Sequence, residues 1–115
     1  MDKYWIETAE KDRAQVVFTS PLFAWEWNEL KSHMAEMLKS GVLHWEFQLR
    51  GLDVATSTDI GMWVACNAAV EKYRGNLTFS VVKDSIIHRT LVFTKLERIL
   101  NVRFTEPGSG RAVPR

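Results

Sequence analysis

The 115-residue sequence has one cysteine, Cys66. No internal disulfide can form, which excludes a disulfide-stapled secreted fold but leaves the redox compartment open. Neither sign of charge is in excess: 15 Lys and Arg face 14 Asp and Glu, a formal net charge of +1. Such a balance gives no bulk pull toward nucleic acid, anionic membrane or acidic substrate. No apolar run is long enough to span a bilayer, so direct membrane insertion is not expected. Met1-Asp2-Lys3-Tyr4-Trp5 has no basic start leading into an apolar stretch, so it is not read as a signal peptide. A cytoplasmic location is the default expectation. Only six glycines occur, and none falls in a GxGxxG or GxxxxGK pattern. A glycine-rich phosphate loop is thereby excluded.

Metal and covalent chemistry are equally poorly supplied. His33, His44 and His88 fall on three different predicted elements, without a second ligand at i+3 or i+4, and Cys66 is not at metal spacing from any of them. No metal and no cofactor are expected. Cys66 reads as a small, partly buried helix residue. The carboxylates are scattered, and no nucleophile–base pair is visible. The chain is not expected to be an enzyme.

What is present is the composition of one soluble domain: 46% apolar and 25% charged residues. Residues 1–105 read as that domain. From Glu106 on, EPGSGRAVPR offers little to bury and reads as a loose tail over 106–115. Tyr4 to Thr8 and Gln15 to Thr19 read as a hairpin of strands around a charged turn. Ala24 to Ser40 reads as a helix with Trp27, Leu30, Met34, Met37 and Leu38 on one face, stopped by Gly41. His44 to Leu49 and Asn76 to Val81 alternate apolar and polar residues, the pattern of strands buried on one face only.

Between those strands, Thr58 to Tyr73 reads as a second helix, with Ile60, Trp63, Val64, Asn67, Ala68 and Val70 toward the sheet. A third runs from Ser85 to Thr94, with Asp84 as its expected N-cap. Leu100 to Phe104 fits a last strand. The order β-β-α-β-α-β-α-β implies parallel crossovers. The fold class expected is α/β in two layers, α+β-like: a mixed, mainly parallel sheet of about five strands with helices mainly on one face. Trp27, Trp45 and Trp63 fall at core positions, while Trp5 and Trp25 do not and are candidates for an exposed contact patch.

The segment Leu52 to Val64, LDVATSTDIGMWV, carries the most chemistry. A hydroxyl-rich turn opens a helix, whose first turn leaves backbone N–H groups unpaired. Ser57 or Thr58 is the expected N-cap, the ordinary role of such residues. The same geometry favours an anion. A phosphate on either hydroxyl would sit at the positive end of the helix dipole. It would add about −1.5 to −2 charges, enough to reject a partner docked on the turn.

From Tyr4 to Phe104 the sequence resembles a STAS domain, the fold of bacterial anti-sigma factor antagonists. Thr56-Ser57-Thr58-Asp59-Ile60-Gly61 stands where the family has Asp-Ser-Ser/Thr-Gly-Leu-Gly. Lys72 to Phe79 (KYRGNLTF) looks like its basic helix end, glycine and strand, and Leu91 to Leu100 (LVFTKLERIL) like its closing stretch. The resemblance implies a non-enzymatic regulator that binds an anti-sigma factor or serine/threonine switch kinase through the start of the second helix. The kinase would phosphorylate the second hydroxyl of the turn, here Thr58 with Ser57 beside it, and a phosphatase would reverse it. The implied docking surface comprises Ser57, Thr58, Asp59, Ile60 and Met62, with Met62 turned off the core face.

Three positions depart from the pattern. Thr56 replaces the family's acidic residue, Asp59 its glycine after the hydroxyl pair, and Lys95 the glycine after the third helix. Asp59 would be a fixed negative charge in the docking surface or would itself occupy the helix start. Lys95 must take another turn or bear left-handed strain. Two further readings stand beside the switch. One is a constitutive STAS scaffold, or transporter-associated subunit, that is never phosphorylated. The other is a small-molecule binder or enzyme using the Thr56–Asp59 turn as an anion site.

Overall fold

A computed structural model describes residues 2–106 of the chain. Strands β1 (Tyr4–Glu10) and β2 (Arg13–Phe18) form a hairpin, followed by α1 (Ala24–Lys39), β3 (His44–Gln48), α2 (Ser57–Lys72), β4 (Asn76–Val82), α3 (Ile86–Phe93), a 3₁₀ turn (Leu96–Arg98) and β5 (Asn101–Thr105). The sheet order is β1-β2-β3-β4-β5. β1 is antiparallel to β2, and β2 to β5 run parallel. The expected mixed, mainly parallel five-stranded sheet is what forms. The segment read as a tail lies, from residue 107 on, outside the described residues.

Alternation decides which face of each strand meets the helices. Ala14, Trp45 and Leu77 pair across three strands, as do Val16, Phe47 and Phe79, and all six are buried. Against them lie Trp27, Leu30, Met34 and Leu38 of α1, Trp63, Cys66 and Val70 of α2, and Ile87 and Leu91 of α3. A run of rings crosses this core: Trp27 against Phe18 at 5.4 Å, Phe18 against Phe47 at 5.1 Å, Phe47 against Phe79 at 5.4 Å, and Phe79 against Trp63 at 6.3 Å. Centroid spacings of this size are those of favourable tilted and edge-on ring pairs.

The other face of the sheet carries polar side chains. Glu46 accepts from Ser80 Oγ, from Gln48 Nε2 at 3.0 Å and from Arg103 Nη2 at 2.8 Å. Ser80, alternating with apolar neighbours, is buried beneath this network.

Several expectations are corrected. The cap of α2 is Thr56, because its hydroxyl, and not that of Ser57 or Thr58, stands three residues before an N–H it can accept. Likewise Ser85 caps α3 by accepting from His88 N at 3.1 Å, and Asp84 stands outside the helix in a left-handed conformation (φ 66°). Val64 and Ala68 are exposed, while Cys66 is buried in their place. α2 is apolar around most of its circumference, so spacing alone does not select its inner face. Lys95 does take the left-handed conformation, at φ 63°.

Candidate functional site

Parallel strands end at the same edge of a sheet, so the loops that follow them collect there. In this chain those loops are residues 19–23 after β2, 49–56 after β3 and 83–85 after β4. The middle loop passes close to β2: a Cβ on Gly51 would lie 2.8 Å from the Phe18 carbonyl oxygen. The loop then feeds Thr56 into α2.

Asp59 organises this edge. It is wholly buried, at 0% exposure. One carboxylate oxygen accepts from Leu22 N at 3.1 Å and from Trp27 Nε1 at 2.9 Å. The other accepts from Thr56 N and Thr56 Oγ1, each at 2.9 Å, while Asp59 N donates to Thr56 Oγ1 at 3.1 Å. The reciprocal Thr56–Asp59 pair is a capping box. A carboxylate is acceptor-only, and four donors go far to satisfy it without water. Asp59 thus joins the start of α2 to the segment that enters α1. It occupies the helix start from within and contributes no exposed charge, which removes it from the docking surface expected of it.

Ser57 and Thr58 are exposed at the first two helical positions. Asp59 N is taken by the Thr56 hydroxyl and Ile60 N by the Thr56 carbonyl. The N–H groups of Ser57 and Thr58 are the ones left at the open end of the helix. Ile60 and Met62 are both half-buried and packed against the core, so each offers only part of its surface. Met62 does not point off the core as expected: it is half-buried and packs in part against the core cluster.

Sequence reasoning missed Phe23 and Val54. Phe23 is the residue before α1, next to the Leu22 that donates to Asp59, and it is 62% exposed. Val54 stands two residues before the cap and is also exposed. They leave apolar surface on the loops beside the hydroxyl turn, whereas Trp25, 64% exposed as its sequence position suggested, lies with Lys3, Tyr4, Glu29 and His33 on the side of α1 next to β1. No periodicity marks Phe23 or Val54, since both lie in connecting segments. Glu26 steadies this corner by accepting from Phe23 N at 2.7 Å and from Lys3 Nζ at 3.1 Å. The Phe23 N–H and then Lys3 hold the Glu26 carboxyl below its usual range. The same Lys3 ammonium lies 3.7 Å from the Phe23 ring centroid.

Other chemistry-bearing residues are not brought to the turn. His44 faces Asp12 at 3.6 Å and bonds Asn76 on the polar sheet face. His88 Nδ1 accepts from Asp84 N at 2.7 Å. Burial pushes the Cys66 thiol up to about 12. Among the described residues no three His, Cys, Asp or Glu side chains gather where they could hold a metal ion, and no helix is long and apolar enough to cross a membrane.

A mixed five-stranded sheet with three helices, opening on a hairpin and placing a hydroxyl turn at the start of the second helix, is the STAS fold. Comparison with solved structures bears this out. The anti-sigma factor antagonist SpoIIAA in its unphosphorylated form superposes with a TM-score of 0.73 over 97% of this chain and 99% of that one, at 9% identity. A putative anti-sigma factor antagonist from Thermotoga maritima gives 0.68 over 89% and 86%, at 16% identity. SpoIIAA of Bacillus in its phosphorylated form gives 0.67 over 89% and 90%, at 10% identity. No protein-family model and no curated protein matches the sequence.

Proposed function

We propose that this chain is a non-enzymatic, protein-binding regulator of the anti-sigma factor antagonist type, switched by phosphorylation of Thr58, with Ser57 as the neighbouring acceptor. The observation that carries the reading is the position of Thr58. It is exposed at the first turn of a helix whose cap is fixed from inside by Asp59. A kinase can reach the hydroxyl, and a phosphate there would lie beside the free N–H groups of the turn. The partner would be an anti-sigma factor or serine/threonine switch kinase, with a phosphatase to reset the switch. It would dock over Ser57, Thr58 and the exposed parts of Ile60 and Met62. Phe23 and Val54 supply apolar contacts of the kind that dominate interface energetics. The likeness to SpoIIAA, solved in both phosphorylated and unphosphorylated forms, supports the reading.

The test is the intact mass of the protein from its native host, with and without phosphatase, followed by site mapping. A phosphatase-sensitive phosphate at Thr58 or Ser57 is expected. Thr58→Glu should weaken capture of the partner by about tenfold or more, because a buried unpaired charge at an interface costs several kcal/mol. An unmodified protein under every growth and stress condition, with Thr58→Glu binding as wild type, would instead indicate a constitutive scaffold.

A further inference from the structure

We propose that the polar face of the sheet carries a binding site for a small neutral polyol, a sugar or cyclitol presenting vicinal hydroxyls. The site lies on the side away from the helices and toward the first residues of β2, β3 and β4, at the opposite end of these strands from the hydroxyl turn. It does not rest on the proposed switch.

Register builds the site. Arg13, His44 and Asn76 stand side by side on β2, β3 and β4, and Gln15, Glu46 and Thr78 form the next row on the same face. Ala9, at the irregularity in β1, puts only a methyl group at the border. Glu46 is drawn toward β4 and β5 by Ser80 and Arg103, while Gln15 bonds Glu7 and Gln48. Between them remains an open hollow of about 270 Å³. Small-molecule pockets begin at roughly 300 Å³, so the hollow suits one ring-sized ligand.

The hollow has hydrogen-bonding capacity to spare. The three bonds to Glu46, from Gln48 Nε2, Ser80 Oγ and Arg103 Nη2, all go to Oε2, and Oε1 accepts from none of the described residues. Thr78 Oγ1 accepts from Asn101 Nδ2 at 3.2 Å and gives its own proton to no described acceptor. Asn76 uses its Oδ1 on His44 and keeps its amide protons, and Gln15 Nε2 gives one proton to Glu7 and has a second. An open acceptor thus stands among open donors. A hydroxyl both donates and accepts, and two on adjacent carbons can serve such a set together. The protein groups are carried on strands and bonded to one another, so binding has little left to order.

Charge selects against an ion. Arg103 is paired with Glu46 at 2.8 Å and Arg13 with Glu10 at 3.1 Å, and His44, the other titratable group in the hollow, faces Asp12 at 3.6 Å. Beyond it, Glu7 and Arg50 bond Gln15 and Gln48 and offset one another. Each charge at the hollow therefore has an opposite charge beside it, and a ligand of either sign gains little. An added strand cannot take the place either, because β2, β3 and β4 are each paired on both sides. A neutral molecule rich in hydroxyls matches both the charge balance and the open donors and acceptor.

The probes are methyl α-glucoside and myo-inositol, titrated into the full chain and followed by its backbone and side-chain amide resonances. Saturable shifts are expected at Gln15, Glu46, Asn76 and Thr78, with Ser57 and Thr58 unmoved. Asn76→Ala and Thr78→Val should each weaken binding several-fold, the loss of one hydrogen bond. Asn76 is exposed and Thr78 half-buried, so circular dichroism should show both variants folded. Glu46→Gln should weaken binding by about tenfold, because the amide keeps its oxygen for Arg103 and turns a donor into the hollow. The fully O-methylated glucoside has no O–H to give Glu46 and should not bind. Raising the salt to about 0.5 M should leave the affinity of a neutral ligand unchanged. The proposal is overturned if neither polyol gives saturable shifts in the hollow, if the methylated glucoside binds equally, or if the folded Asn76 and Thr78 variants bind as wild type. It is overturned also if inorganic phosphate or ethylammonium binds there more tightly, since the site would then be one for an ion.

Discussion

Replacing Asp59 by asparagine keeps the size of the side chain and removes one of its two accepting oxygens. The consequences follow from the four donors it serves. With its remaining oxygen toward α1, the amide still accepts from Leu22 N and Trp27 Nε1, which lie 3.1 and 2.9 Å from the present carboxylate. Its NH2 group then faces Thr56, whose N–H loses its acceptor. Flipping the amide orphans Leu22 N and the buried indole N–H of Trp27 instead. In either orientation at least one donor, part-buried at Thr56 or buried at Leu22 and Trp27, is left facing another donor. A buried donor without its partner costs about 1–3 kcal/mol, and bonds to a charged acceptor are worth more than bonds to a neutral one. Asp59→Asn is therefore expected to lose about 2–4 kcal/mol, a large share of the stability of an ordinary domain.

The assay is urea denaturation followed by tryptophan fluorescence, with the midpoint falling and the slope unchanged. Asp53→Asn, on the exposed part of the same loop, serves as the control and should stay within about 0.5 kcal/mol of wild type. A double-mutant cycle of Asp59→Ala with Trp27→Phe should show a coupling of about 1 kcal/mol or more, since the alanine removes the acceptor of the indole N–H and the phenylalanine its donor. The account of the site would be refuted if Asp59→Asn lost no more than the Asp53 control.

Two other substitutions or treatments test separate parts of the structure. Lys95 is held at φ 63°, where a Cβ is disfavoured, so Lys95→Gly should raise stability by about 0.5–1 kcal/mol in the same urea assay, and no gain would mean the side chain is otherwise anchored. The Cys66 thiol, buried and pushed up to about 12, should resist a thiol-titrating reagent at pH 8 in the native protein and react fully in denaturant, and rapid native labelling would contradict its placement.

The fold was legible because its strands are buried on one face. Trp45, Phe47 and Leu49, and Leu77, Phe79 and Val81, alternate with polar neighbours, and all six are in the core. The helix ends were readable in kind but not in detail. Thr56, Ser57 and Thr58 can each cap a helix. The one that does is distinguished by an acidic residue three positions on, a local signal that the consecutive hydroxyls obscured. α2 was less legible, because its apolar residues nearly encircle it, and Val64 and Ala68 fall outside the core as a result. The inward turn of Asp59 could not be read from the sequence. Its partners Leu22 and Trp27 are 37 and 32 residues away, and nothing in the local spacing announces them. Phe23 and Val54 escaped for the same reason: exposure in a connecting segment depends on what the neighbouring loops leave uncovered.

Asp59 also decides how a phosphate at Thr58 would act. A glycine after the hydroxyl pair would leave the backbone of the turn free to rearrange around a new charge. Here the position is held by four bonds, one of them to the segment that enters α1 and one to α1 itself. Rearranging the turn would break these bonds and strand the buried carboxylate, at a cost of several kcal/mol. The N–H groups of Ser57 and Thr58 can receive the phosphate without any such movement. Under the proposed switch, the modification therefore changes the charge and shape of the surface and leaves the fold beneath it in place. Backbone amide chemical shifts should change at Ser57, Thr58 and their nearest neighbours when Thr58 is phosphorylated, while Leu22 N and Trp27 Nε1 stay close to their unmodified positions. Large shifts at Leu22 and Trp27 would show that the phosphate displaces Asp59, and that the switch works by opening this corner of the fold.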